Sequence, residues 1–132
     1  MKLKVCGMKL ENNISEISKL NPDFMGFIFW SKSKRFFNEK SIHISNKINK
    51  VGVFVNQDYD FIIDKINNFK LDFIQLHGEE DYQFCKKIKT RCKVIKVFNI
   101  GSDFDFEILN SFESVCDYFL FDTKGDFYGG NG

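Results

Sequence analysis

Six short apolar runs recur along the chain, separated by more polar stretches: LKVC (3–6), FMGFIFW (24–30), VGVFV (51–55), DFIQL (72–76), VIKVF (94–98) and YFLFD (118–122). Each is rich in β-branched and aromatic residues and predicts a strand. Taking Cys6, Phe29, Val55, His77, Phe98 and Asp122 as their last residues, the strand ends fall 21 to 26 residues apart. That is a period of structure without a repeat of sequence.

The stretches between the runs carry helical spacing. Ile62, Ile66 and Phe69 follow a cap candidate at Asp58, and Phe104, Ile108 and Phe112 follow another at Asp103. Weaker stripes are Ile14 and Ile17 with Leu20, and Phe84 with Ile88. His43, between Ile42 and Ile44, is placed inside a further helix and read as structural.

Strands and helices therefore alternate, and the strands are near-continuous apolar runs, as expected where helices cover a parallel sheet. The fold class is α/β. Two architectures satisfy the alternation, an open doubly wound sheet and a (β/α)8 TIM barrel. The loops after the strands favour the barrel, because polar groups stand at each strand end (Cys6, Lys32 to Arg35, Asn56, His77, Asn99 and Asp122). Barrels gather their chemistry at that end.

Composition narrows the function without naming it. At 132 residues the chain suits one domain. Lysine plus arginine, 19, nearly balances aspartate plus glutamate, 18, which leaves no electrostatic footprint for nucleic acid or an anionic membrane. No run approaches the roughly 18 apolar residues of a membrane span, and MKLKVCGMK turns polar too early for a signal peptide. The expectation is a soluble cytoplasmic protein. Cys6, Cys85, Cys92 and Cys116 form no C-x-x-C pair, which argues against zinc and against a disulfide framework. The 17 phenylalanines and the absence of alanine are compositional drift.

Candidate chemistry sits at the strand ends, each residue with a plainer reading beside it. Cys6 precedes Gly7 and is either a base at the sheet's rim or a small buried hydrophobe. Asp122 ends an apolar strand, where burial favours a held proton, or else it forms a turn in DTKGD. In SKSKRF, Arg35 is the best anion ligand by its planar fork, unless the run is a solvated loop. In QLHGEE, His77 is a substrate contact or a strand-end residue, while Glu79 and Glu80 suit the first turn of the next helix. The glycines of GGNG, Gly129, Gly130 and Gly132, read either as a phosphate cradle or as a flexible end.

KVCGMK, GFIFWSKSKRF, KVGVFVN, DFIQLHGEE, KVIKVF and DYFLFDTKGDFYGGNG, in this order and spacing from residue 3 to residue 132, resemble phosphoribosylanthranilate isomerase of tryptophan biosynthesis. The resemblance implies a (β/α)8 barrel and an Amadori rearrangement of N-(5-phosphoribosyl)anthranilate to 1-(2-carboxyphenylamino)-1-deoxyribulose 5-phosphate. It implies neither a cofactor nor a metal, and a small phosphorylated molecule as the partner. By the family's pattern Asp122 is the general acid and Cys6 the general base. Arg35 engages the anthranilate carboxylate, Gln75 and His77 line the substrate pocket, and Gly129, Gly130 and Gly132 lie beside the phosphate. Lys34 stands where the family often has proline, and Asn131 where it often has threonine or serine.

The family continues from this glycine loop into a seventh and an eighth strand. The expectation is that residues 1–132 form a single incomplete barrel domain of about six βα units, which self-associates through its open edges and catalyses poorly or not at all alone. Two other readings stand beside the isomerase: another barrel enzyme acting on a phosphorylated sugar, and a non-catalytic remnant of a barrel.

Overall fold

The computed structural model describes residues 1–123. The six runs are six strands: β1 Lys4–Cys6, β2 Phe24–Ile28, β3 Asn49–Phe54, β4 Phe73–Leu76, β5 Lys93–Ile100 and β6 Tyr118–Thr123. They form one sheet in the order β1-β2-β3-β4-β5-β6, every neighbouring pair parallel. This order never reverses direction, so it lacks the switch point of a doubly wound sheet. It is the winding of a barrel.

The curvature is visible in the aromatic contacts. Phe24 on β2 and Tyr118 on β6 are four strands apart, about 19 Å in a flat sheet, yet their ring centroids are separated by 6.0 Å. Phe73 on β4 also meets Tyr118, at 5.8 Å. The inner layer is Phe24, Val51, Phe73 and Ile95, with Leu120 packed against it. A second, larger core fills the outer side, where Met25, Phe27, Phe54, Ile74, Leu76, Val94 and Phe98 meet the helices. Two-sided burial is why β2 and β4 are buried at every position and why they read as unbroken apolar runs.

The helices are α1 Glu11–Lys19, α2 Tyr59–Phe69, α3 Tyr82–Lys89 and α4 Ile108–Phe112. Ile14, Ile62, Cys85, Ile88 and Phe112 are their buried contacts with the outer core. Asp58 occupies the N-cap position of α2 with extended backbone, but its side chain makes no cap hydrogen bond. The working cap is Asp81 of α3, whose Oδ1 accepts from the Phe84 backbone N–H at 2.8 Å.

Four details differ from the sequence expectations. Leu20 caps the end of α1 and is 74% exposed, so it leaves the apolar face it was placed on. α4 begins at Ile108, later than the Asp103 cap suggested, because Asp105 turns the chain first by accepting from the Glu107 N–H. Glu79 and Glu80 precede α3 rather than opening it. Between β2 and β3 no helix forms. There Ile42 and Ile44 pack partly against the core while His43 between them is exposed, the alternation of an extended chain. His43 bonds only locally, to the Ser41 hydroxyl at 2.8 Å. No described helix is long and apolar enough to cross a membrane.

Candidate active site

Side chains alternate across a strand, so residues two apart share a face. On β1 this turns Lys4 and Cys6 inward together, on β4 it turns Gln75 and His77 inward, and on β6 Leu120 and Asp122. With Ile28, Trp30 and Arg35 they line a cavity of about 200 Å³ at the C-terminal ends of the strands. The curl of the sheet thus brings Cys6, Arg35, Gln75, His77 and Asp122 to one mouth, although they span 117 positions of sequence. Gly129, Gly130 and Gly132 lie outside the described residues.

Cys6 and Arg35 are held together through two glycines. Gly7 adopts φ +85°, a left-handed conformation that favours glycine. A side chain there would also stand 2.7 Å from Cδ and Nη1 of Arg35. The guanidinium passes over this bare backbone and its Nη1 donates to the Cys6 carbonyl at 3.3 Å. The Arg35 N–H is held by the Ser33 hydroxyl at 3.1 Å. Lys32 and Lys34 are exposed, so the plain reading of the cationic run holds for them. Gly26, paired with Cys6 across β1 and β2, leaves the space that the Cys6 thiol occupies.

Opposite stands a polar triad. Nε2 of His77 lies 3.2 Å from Oδ2 of Asp122, and Nδ1 of His77 lies 3.3 Å from Nε2 of Gln75. Asp122 Oδ1 accepts from the Thr123 backbone N–H at 2.9 Å. Burial lowers the His77 pKa from the usual value, against an upward pull from Asp122 and with a smaller downward push from Lys96. The imidazole is therefore neutral at neutral pH, and a neutral imidazole has one donor and one acceptor nitrogen. Asp122 keeps 24% of its side-chain surface exposed, less sheltered than its apolar strand suggested, because no residue of β6 is fully buried.

Two features of the site escaped the sequence reading. Lys4 reads as a strand residue, although the period of two already puts it beside Cys6. The other is a buried ion pair behind the mouth: Lys96 and Glu80, with side chains 5% and 3% exposed, meet at 3.2 Å. Lys96 also donates to the Gly78 carbonyl at 2.7 Å. Glu80 accepts from the Asn56 N–H at 2.8 Å and the Gly78 N–H at 3.0 Å. The pair ties the loop after β3 to the loop after β4, immediately behind His77. A lysine in VIKVF looks like an outward-facing charge, and no local pattern announces its partner 16 residues earlier.

Comparison with known proteins gives the family. The model of the family described as N-(5'phosphoribosyl)anthranilate (PRA) isomerase matches residues 3–132. A protein of Phocaeicola vulgatus named N-(5'-phosphoribosyl)anthranilate isomerase is 42% identical over 133 residues, covering all of this chain and 65% of that protein. One of the same name from Parabacteroides distasonis is 41% identical and is covered over 63% of its length. The chain thus spans a little under two thirds of these curated relatives. The crystal structure of phosphoribosyl anthranilate isomerase from Thermotoga maritima superposes with a TM-score of 0.87 at 33% identity, over 100% of this chain and 66% of that one. A second solved isomerase, in complex with reduced 1-(o-carboxyphenylamino)-1-deoxyribulose 5-phosphate, gives 0.83 at 31% identity, over 94% of this chain and 66% of that one. The family model spans residues 3–132 and the described strands share their fold with the solved isomerases, and on that agreement the chain belongs to the N-(5'-phosphoribosyl)anthranilate isomerase family.

Proposed function

We propose that this chain supplies the acid, the base and the carboxylate grip of a phosphoribosylanthranilate isomerase. The observation that supports the reading most is the convergence of Cys6, Arg35 and Asp122 on one cavity in a chain of that family. Asp122 protonates the furanose ring oxygen, the ring carbon–oxygen bond breaks, and an iminium forms. Cys6, as thiolate, takes the proton from C2, and the electron pair of that bond moves to give the enolamine. Tautomerisation to the ketone completes the Amadori rearrangement, with no net gain or loss of electrons. Arg35 binds the anthranilate carboxylate, its fork suiting a planar anion, and His77 and Gln75 contact the substrate beside the acid.

The phosphate of such substrates is commonly gripped by loops after strands seven and eight of a barrel. The assignment to the six strands here is accordingly limited to the reacting end of the molecule. The small phosphorylated substrate is the partner we propose for this cavity. We also propose that the outer edge of β6, with Tyr118 40% and Phe121 51% exposed, pairs with further polypeptide, a second copy of the chain included.

The test is the loss of anthranilate fluorescence when phosphoribosylanthranilate is added. Turnover that falls at least about 100-fold in both Cys6→Ala and Asp122→Asn is the expected result. Wild-type rates in both variants would sink the assignment, and turnover of a different sugar phosphate in their place would make this another barrel enzyme.

A further inference from the structure

We propose that Lys4 is a positioning residue for Cys6, its ammonium serving as the counter-charge against which the thiolate forms. The inference rests on reading Cys6 as the base and adds the group that makes a thiol fit for that work. A thiol acts as a base only in its anionic form, and a nearby cation is the usual means of favouring that form.

Gly26 fixes the geometry. A Cβ at this position would lie 2.7 Å from the Cys6 Sγ and 2.9 Å from the Lys4 Nζ. The sulfur and the ammonium therefore share the space beside one bare α-carbon, and they are no farther apart than those two distances laid end to end. Residue 26 itself puts no side chain between them. Strand periodicity turns both groups to the inner face, and both line the cavity.

The other charged or titratable groups on this cavity have partners other than the Cys6 thiol. Arg35 reaches the backbone side of Cys6, at its carbonyl. His77 is neutral through burial and meets Asp122. Lys4 makes no ion pair with any described carboxylate, whereas Lys65, Lys89 and Lys96 each do. Its charge is left for the cavity, and Cys6 is the group on its own strand that becomes negative there. A cation at such a range attracts a negative charge on the sulfur.

The experiment is alkylation of the full 132-residue chain with iodoacetamide at pH 7, read peptide by peptide by mass spectrometry. Peptide resolution is needed because the four thiols differ. Cys85 is wholly buried, Cys92 is pushed up to about 11, chiefly by burial, and Cys116 is lowered by its hydrogen bond with Cys85. The expected result is a Cys6 rate about five- to tenfold lower in Lys4→Met and restored to within about twofold in Lys4→Arg, with the Cys92 and Cys116 rates unchanged. Loss of packing alone would not be rescued by arginine. A Lys4→Met rate equal to wild type, or a Lys4→Arg rate as low as Lys4→Met, overturns the proposal.

If the variants fail to fold, which rapid labelling of Cys85 would reveal, the wild type decides. Cys6 in the native chain must then react several-fold faster at pH 7 than cysteine in a short unstructured peptide, and a rate no faster than the peptide's overturns the proposal. None of these readouts needs turnover. A lysine effect without isomerase activity would remove the proposed function and leave the charge pairing, and the opposite outcome would do the reverse.

Discussion

Nε2 of His77 stands 3.2 Å from Oδ2 of Asp122, joining the end of β4 to the end of β6 across the mouth of the curved sheet. The partner matters as much as the distance. An imidazole that burial keeps neutral can hold the hydrogen between itself and the carboxyl without adding a second full charge to the cavity.

This contact predicts a pH dependence. The folded-state pKa of His77 lies below its ordinary value of 6.5, with burial the largest cause. The unfolded chain therefore binds more protons at mildly acid pH. His77 contributes stability that is fully present above about 6.5 and is lost as pH falls from there toward the folded value. The imidazole resonances followed by NMR should titrate below 6.5. Asp122→Asn should lower the midpoint further, because the carboxylate is the main upward influence. An upward move in Asp122→Asn would contradict the account.

Glu80→Ala is expected to be the most destabilising of the polar substitutions. It leaves the Lys96 ammonium, 5% exposed, without its counter-charge, and it strips the Asn56 and Gly78 N–H groups of their acceptor. Breaking one side of a buried pair costs about 3–5 kcal/mol, readable as a lower urea midpoint at constant slope. A loss within about 0.5 kcal/mol, the range of ordinary surface substitutions, would show the pair to be dispensable.

Gly26→Ala puts a methyl group 2.7 Å from the Cys6 Sγ and 2.9 Å from the Lys4 Nζ. The lysine, being long, swings away at little cost, but the thiol sits on a short stem beside the backbone. The substitution should therefore change Cys6 alkylation at pH 7 by more than about threefold while shifting stability by only about 1–3 kcal/mol, the usual cost of overpacking. Unaltered Cys6 reactivity would mean that the thiol and lysine have room to spare.

The exposed aromatic edge of β6 predicts association. Tyr118 and Phe121 are 40% and 51% exposed, and Phe106 beside Phe121 is 58% exposed. Light scattering should give a mass that rises with concentration for the 132-residue chain, and Phe121→Lys should suppress the rise. A constant single-chain mass over a hundredfold range of concentration would count against this edge as a pairing surface.

The strands were legible because two-sided burial writes itself as a continuous apolar run; FMGFI and FIQL are buried at every position. The site was legible where strand ends carried unusual residues, as at Cys6, His77 and Asp122. What escaped depends on contacts that no local pattern encodes. His43 was placed in a helix, whereas the isoleucines on either side of it mark alternation, and the chain there is extended. Glu80 was read as a helix-dipole charge when its true partner is Lys96, brought to it by the parallel pairing of β4 with β5. Lys4 was within reach, since the rule that turns Cys6 inward also turns the residue two before it.

The strand order has a consequence for how the molecule is made. Each strand pairs only with the strand synthesised just before it and the one synthesised just after it. The chain emerging from a ribosome can lay down the sheet in the order of its translation, each new strand closing a loop of one crossover connection rather than a longer one. One contact reaches much farther along the chain, the hydrogen bond from the Lys2 ammonium to the Tyr118 hydroxyl, 116 residues apart. It forms only after β6 has arrived, so Lys2 is fastened late although it precedes every strand of the sheet.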